Sequence, residues 1–193
     1  MKGKLRVLIA DDEAIRLLSL RAQLANLGYD TVGEASDGEE AVALARDLRP
    51  DLVIMDIKMP QLDGIEAAKL ITAERPVPIV LLTAYNEREL AERATEAGIF
   101  AYLIKPVSEA ELLPAIMLAT SRFAEFQLLR REIDDLKEAL ETRKLIERAK
   151  GILMQRRRLS EPDAFRLMQR QSQNENRRLV DIARAIITAD KML

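Results

Sequence analysis

The sequence predicts an α/β fold, with a five-stranded parallel, doubly wound domain over residues 1–120, a coiled-coil linker helix over residues 121–141 and a small three-helix bundle over residues 142–193. Three observations carry the prediction. Up to about Thr120, short aliphatic runs alternate five times with longer segments of helical periodicity, the pattern of a parallel sheet with helices on both faces. Beyond Thr120 every strand signal stops. The charge balance reverses there too: residues 1–121 carry 13 Lys and Arg against 20 Asp and Glu, whereas residues 122–193 carry 17 against 12. Two modules with different partners would produce this asymmetry, and so would an ordinary solvated helical surface.

The strands are read at Leu5–Ala10, Asp30–Ala35, Asp51–Met55, Pro78–Leu82 and Phe100–Leu103. Leu5–Ala10, Leu52–Met55 and Ile79–Leu82 are continuous aliphatic runs, as strands buried on both faces require. Helical spacing appears in Glu13–Leu27, Gly38–Leu48, Gly64–Glu74, Glu87–Ala97 and from Glu109 onward, with Gly28, Pro50, Pro60, Pro76, Pro78, Gly98 and Pro106 as punctuation. The last of these helices continues into a heptad run, Phe126, Leu129, Ile133, Leu136 and Leu140, which is a coiled-coil seam. The next seam positions are Arg143 and Glu147, so the apolar set moves to Leu145, Ile146, Ala149, Ile152 and Leu153. Ser160 and Asp163 form a capping box that opens a second helix, with Pro162 in its first turn and Ala164, Phe165, Leu167 and Met168 facing the core. A polar break from Gln171 to Asn176 precedes the third helix, whose inward stripe is Leu179, Ile182, Ala183, Ile186 and Ile187.

The chain has 193 residues, 48% of them hydrophobic and 32% charged, which is enough apolar surface for a core. Its apolar stretches, Ile79–Leu82 and Leu112–Ala119 among them, fall far short of the ~18 residues a membrane span needs. The start, Met1-Lys2-Gly3-Lys4 and then Leu5–Ala10, runs straight into Asp11-Asp12-Glu13, unlike a leader, so a cytoplasmic location without membrane contact is expected. Neither Cys nor His is present. That excludes disulfides, thiolate zinc sites, a Ser-His-Asp triad, imidazole ligands and a histidine phosphodonor within the chain. Chemistry is left to carboxylates, Lys, Thr, Ser and Tyr, with a hard cation such as Mg2+ as the natural metal for oxygen ligands.

Open parallel sheets bind ligands at the carboxyl ends of their strands. Here those ends are Asp11-Asp12, Asp56, Thr83 and Lys105, so three carboxylates, a hydroxyl and an ammonium converge on one edge. Three acids at one edge repel one another, and Mg2+ held by Asp12, Asp56 and a backbone carbonyl would relieve that repulsion. Strand-end acids that merely cap the following helices are the commoner arrangement.

Residues 4–120 resemble the receiver domain of two-component response regulators. The resemblance rests on Ile9-Ala10-Asp11-Asp12-Glu13, on Ile54-Met55-Asp56-Ile57-Lys58-Met59-Pro60 with Asp63-Gly64, on Leu82-Thr83-Ala84, and on Tyr102-Leu103-Ile104-Lys105-Pro106, in this order and at these spacings. It implies that Asp56 accepts a phosphoryl group, that Asp11 and Asp12 hold Mg2+ together with Asp56, and that the Lys58 carbonyl is a further metal ligand. It also implies that Thr83 and Lys105 contact the phosphoryl oxygens, that Tyr102 is a rotamer switch, and that Lys105-Pro106 is cis. The partner would be a sensor histidine kinase. The chain would be a regulator rather than an enzyme, with only self-phosphorylation and self-dephosphorylation at Asp56, and with Lys58 and Tyr85 flanking the site to set the acyl-phosphate lifetime.

Residues 142–193 carry 13 Lys and Arg against 6 Asp and Glu, a balance suited to phosphate contacts or simply to helix C-terminal dipoles. This stretch resembles the ANTAR domain of antitermination regulators through Ile146-Glu147-Arg148-Ala149-Lys150-Gly151-Ile152-Leu153-Met154, Ser160-Glu161 with Ala164-Phe165, Gln171-Ser172-Gln173, and Leu179-Val180-Asp181-Ile182-Ala183 before Ile186-Ile187. The resemblance implies a three-helix module that, as a dimer, binds paired RNA hairpins in nascent transcripts. Phosphorylation would pair two chains along the Phe126–Leu140 seam into a homodimer and bring two basic bundles to one RNA. The RNA face is read as Lys150, from the motif, with Arg156, Arg157, Arg177 and Arg178, from charge and position. Small Ala149 and Gly151 are read as helix-packing residues. Alternatives are a receiver-controlled DNA-binding transcription factor, since the last two helices could form a helix-turn-helix, and a protein-docking regulator. Against the former, the Gln- and Asn-rich break is longer than the tight turn that motif prefers.

Overall fold

A computed structural model describes residues 4–84 and 99–190. The expected helix Glu87–Ala97, and Tyr85 before it, lie outside the described residues. The elements are β1 (Arg6–Ala10), α1 (Ala14–Asn26), β2 (Asp30–Ala35), α2 (Gly38–Leu48), β3 (Leu52–Asp56), α3 (Gly64–Glu74), β4 (Ile79–Thr83), β5 (Ala101–Ile104), α4 (Glu109–Arg157), α5 (Glu161–Glu175) and α6 (Leu179–Asp190). Contacts divide the chain into two units, Met1–Gln127 and Leu128–Leu193. The division falls inside the segment 121–141 that the sequence marks as a linker, and that segment is continuous with the rest of α4.

The strands form one parallel sheet in the order β2-β1-β3-β4-β5. The three aliphatic runs are its central strands, and β2 and β5 are the half-exposed edges. Because successive strand side chains point to opposite faces, Leu8, Ala10, Val53, Met55, Ile79 and Leu81 meet one apolar cluster with residues of α2 and α3, including Ala41, Ala45, Ile65 and Ala68. The alternate set, Val7, Ile9, Leu52, Ile54, Val80 and Leu82, packs with Leu17, Leu20 and Leu24 of α1 and Leu112, Ile116 and Ala119 of α4. Helices on both faces make the sheet doubly wound, as the periodicity predicts.

Strands β3, β4 and β5 begin and end one residue later than read from the sequence. Pro78 has no N–H to give a ladder; its carbonyl accepts the Val53 N–H at 3.0 Å and β4 starts after it. The same shift makes Asp56 and Thr83 the last residues of their strands rather than residues beyond them.

Helix α4 has one 18-residue stretch long and apolar enough to cross a membrane, a feature that counting unbroken apolar runs misses. Within α4, Leu112, Ala115, Ile116 and Ala119 are buried against the sheet. Farther along, Phe123 and Phe126 make edge-on contacts with Phe100, at 5.7 and 5.9 Å between ring centres. Phe126, the first seam residue, is thus already engaged within the sheet unit.

In the second unit, Ala149 and Leu153 of α4, Ala164 and Met168 of α5, and Ile182, Ala183 and Ile187 of α6 form the buried core. Phe165 departs from the expectation: it is half-buried and outside that core, with the Lys150 ammonium 5.9 Å from its ring centre. The Ser160 hydroxyl accepts the Asp163 N–H at 3.4 Å and donates to the Asp163 carboxylate at 2.6 Å, so the cap forms with the acid reaching the hydroxyl.

Glycine is required where α3 starts. The Gly64 N–H donates to the Ile57 carbonyl at 2.8 Å, and a Cβ at Gly64 would lie 2.0 Å from the Asp56 carbonyl oxygen. Gly64→Ala should therefore destabilise the sheet unit by about 1–3 kcal/mol, the usual cost of overpacking a rigid contact. A lowered urea midpoint is the expected reading, and an unchanged one would mean that α3 can draw back from β3 without loss.

Candidate functional site

Three backbone bonds set the strand ends of the sheet unit in register: Asp11 N–H to Ala35 O (3.1 Å), Ile57 N–H to Leu82 O (3.0 Å) and Lys105 N–H to Thr83 O (2.7 Å). They bring Asp11, Asp56, Thr83 and Lys105 to one edge. Asp11 and Asp56 are 2% and 5% exposed, Thr83 is buried and Asp12 is exposed. Asp11, Asp12 and Asp56 can each offer one carboxylate oxygen, and these three atoms lie within 4.8 Å of one another. The Lys105 ammonium sits between the two buried acids, 2.6 Å from Asp11 Oδ2 and 2.7 Å from Asp56 Oδ2. Asp11 Oδ1 accepts the Glu13 N–H at 3.0 Å, so both oxygens of this acid are engaged. The Lys105-Pro106 bond is cis.

Asp63 holds the start of α3 beside this edge by accepting the Ile65 and Glu66 N–H groups at 2.9 and 2.8 Å. Tyr102, on the edge strand β5, is 52% exposed, and the Lys58 side chain faces solvent. One residue of the site escapes the sequence reading. The Arg16 guanidinium lies 2.5 Å from Glu13, 3.4 Å from Asp11 Oδ1 and 3.9 Å from Asp56 Oδ2. The available signal was its spacing: five residues past Asp11, it stands on the first turn of the helix that follows the acid pair.

The expected RNA face divides into paired and unpaired cations. Lys150 is 8% exposed and its ammonium is committed to Glu161 at 2.7 Å and Glu147 at 2.9 Å. Hydrogen bonds that Lys150 donates to Glu161 and then to Glu147 raise its pKa above the ordinary value, and the bond to Glu161 holds that carboxyl below its own. A lysine so placed ties α4 to the first turn of α5 rather than presenting a charge to solvent. Arg156 pairs with Asp190 (2.9 Å), Arg177 with Glu175 (2.9 Å) and Arg178 with Asp181 (3.4 Å). Arg157 is exposed and among the described residues has no ion-pair partner within 4.0 Å; the same holds for its neighbour Arg158, which the sequence reading does not include. A Cβ at Gly151 would meet nothing within 4 Å, so packing does not demand glycine there, while Ala149 is fully buried.

The polar break is also corrected. Helix α5 runs on to Glu175, Asn176 caps it in the left-handed conformation, and only Asn176-Arg177-Arg178 connects it to α6. Gln171 supports the last turn by donating to Glu175 at 2.5 Å, four residues on. With a three-residue connection, loop length no longer argues against a helix-turn-helix.

Comparison with known proteins decides the family. A response regulator receiver domain matches residues 7–117 and an ANTAR domain matches residues 134–187. The transcriptional regulatory protein PdtaR of Mycobacterium tuberculosis is 51% identical over 182 residues, covering 94% of this chain and 89% of that protein. The regulatory protein AtoC of Escherichia coli is 40% identical over 138 residues, 71% of this chain and 29% of its own. Among solved structures, the signal receiver domain of a modulated diguanylate cyclase from Desulfovibrio desulfuricans superposes with a TM-score of 0.59 at 38% identity, covering 63% of this chain and 98% of that one. CheY in the CheX-CheY-BeF3-Mg complex from Borrelia burgdorferi gives 0.57 at 28% identity, over 58% of this chain and 87% of that one. The chain belongs to the response regulators, with a receiver domain followed by an ANTAR domain. It is a phosphorylation-controlled, ANTAR-type antitermination regulator; the receiver implies a sensor kinase as partner and the ANTAR domain implies RNA binding.

The Lys150 pairing yields a pH signature. A carboxyl whose folded pKa lies below its ordinary 4.5 stabilises the fold above that value and ceases to do so as pH falls through the folded pKa. Glu161→Gln should therefore lower the melting temperature of the helical unit at pH 7, and the gap to wild type should close as pH drops below 4.5. A gap that persists at pH 2 would assign the effect to packing instead.

Proposed function

We propose that Asp56 is the phosphoacceptor and that its phosphorylation pairs two chains, presenting two helical bundles to a two-hairpin RNA in a nascent transcript. The observation that carries this reading is the Lys105 ammonium shared by the buried Asp11 and Asp56 carboxylates. Asp56 Oδ2 is held by Lys105, so Oδ1 attacks phosphorus as the bond to the donor's leaving group breaks. Lys105 then neutralises a phosphoryl oxygen, and the Thr83 hydroxyl is drawn toward another. The oxygen-only donor set of Asp11, Asp12 and Asp56 fits Mg2+, with the Lys58 carbonyl as a further ligand. When bound, the ion supplies charge neutralisation for the in-line transfer. The chain's own chemistry ends at phosphorylation and dephosphorylation of Asp56, and the exposed Tyr102 is the side chain through which the site reaches the surface of β5.

Seam residues Leu129, Ile133, Leu136 and Leu140 are all more than half exposed, which fits burial against a second copy of the helix. On the RNA face, Arg157 has no ion-pair partner among the described residues and is free to meet a phosphate; Arg156, Arg177 and Arg178 reach phosphates by exchanging their carboxylate partners, and Lys150 orients the helices behind them. A cytoplasmic location follows from the family, whose kinase partners and nascent transcripts are met there.

Two measurements test the reading. At one fixed salt concentration, a two-hairpin RNA should bind better than duplex DNA and tighten when a small-molecule phosphodonor and Mg2+ are added; Asp56→Asn should take up no phosphate and lose the tightening. Preference for DNA, or RNA affinity indifferent to Asp56, would sink it. Separately, Leu136→Glu should shift the phosphorylated protein from dimer to monomer in sedimentation, and an unchanged dimer would remove the seam from the mechanism.

A further inference from the structure

The acids of the receiver site carry more positive charge than phosphate recognition alone requires. Lys105 already bridges Asp11 and Asp56, yet Arg16 also leans over both, with its second nitrogen held by Glu13 at 2.5 Å. Arg16 lies in the first turn of α1, where the helix dipole disfavours a cation and where no acidic residue of the helix is present. The helix end therefore does not account for its position; the acids do. Its contacts to them are the long ones, 3.4 and 3.9 Å, and its contact to the exposed Glu13 is the short one. A guanidinium so divided is a charge on a tether.

We propose that Arg16 is a positioning residue that competes with a divalent cation for the Asp11 and Asp56 carboxylates, and that Glu13 sets the strength of that competition by drawing the guanidinium back to the rim. With the cation absent, Arg16 screens the acids and lowers the cost of burying two of them together. When a divalent cation enters, Arg16 gives up its contacts to Asp11 and Asp56 and keeps the one to Glu13. The affinity of the site for its metal is thus held down by a side chain of the chain itself. The inference rests on the reading of the acid cluster as a Mg2+ site.

The test is Mn2+ binding to the full chain, followed by the electron paramagnetic resonance of free Mn2+, without any phosphodonor. Arg16→Gln should bind Mn2+ about fivefold more tightly than wild type, the fold-change expected for losing one partly exposed ion pair. Glu13→Gln should bind more weakly. The double variant should bind like Arg16→Gln alone, because Glu13 acts through Arg16; a double variant in which the two effects simply add would reduce both to general electrostatics and overturn the tether. Equal Mn2+ affinity in wild type and Arg16→Gln would overturn the competition while leaving the metal site standing. Absence of Mn2+ binding in every variant would overturn the metal site and the inference together. Arg16 is about two-fifths exposed, so its replacement leaves the fold intact, which an unchanged melting curve verifies.

Discussion

Two carboxylates buried side by side repel each other strongly in a medium that water cannot reach, and the receiver unit is arranged around the cation that makes this arrangement tolerable. Asp11 follows β1, Asp56 ends the neighbouring β3, and Lys105 reaches in from beyond β5 to place its ammonium between them. The three strand ends must therefore stay in register, which the aliphatic packing of β1, β3 and β4 and the bonds at Ile57 and Lys105 enforce. Gly64 belongs to the same constraint, since any side chain there would push α3 away from the backbone of Asp56. The proposed phosphorylation of Asp56 would change the charge at this one point, beside the ends of β4 and β5 that carry Thr83 and lead to Lys105.

The helical unit solves a similar problem differently. Lys150 is nearly as buried as the receiver acids, but its partners, Glu147 and Glu161, are exposed. One charge is taken from water and two remain in it, so the pair fixes the angle at which α5 starts without creating a reactive site. The Phe165 ring beside the ammonium adds an apolar wall with a negative face, which suits a cation with part of its hydration removed. A motif lysine in a basic module reads as a phosphate ligand in the sequence; Glu147, three residues earlier on the same helix, was in plain view, but the burial and the second carboxylate depend on where Glu161 lands across a turn.

The sheet was legible because burial on both faces writes continuous aliphatic runs, and the strand-end rule then located Asp11, Asp56, Thr83 and Lys105 with no knowledge of contacts. What failed to show were features decided by exposure. The Gln171–Asn176 stretch looks like a loop by composition, yet Gln and Glu are good helix formers, and a polar helix turn is cheap on the solvent side. Arg16 looks like one more charge on an amphipathic helix until folding brings β1 and β3 side by side and their terminal acids within its reach. Its distance from Asp56 along the chain, across a whole βα unit, is what hides the contact.

The seam poses the last constraint. Phe126 is the first of its five residues, and its ring is already packed against Phe100, next to the edge strand that carries Tyr102. The other four expose their apolar side chains. A single chain gains nothing from holding Leu129, Ile133, Leu136 and Leu140 at heptad spacing in water; the spacing is useful only against another helix. In the proposed dimer Phe126 would thus join two kinds of packing on one helix, the intramolecular cluster at the sheet edge and the first layer of the seam. A shift at β5 that moved Phe100 would alter the environment of Phe126 directly, so the proposed phosphoacceptor site would have a short physical path, through one strand and two rings, to the surface on which two chains would meet.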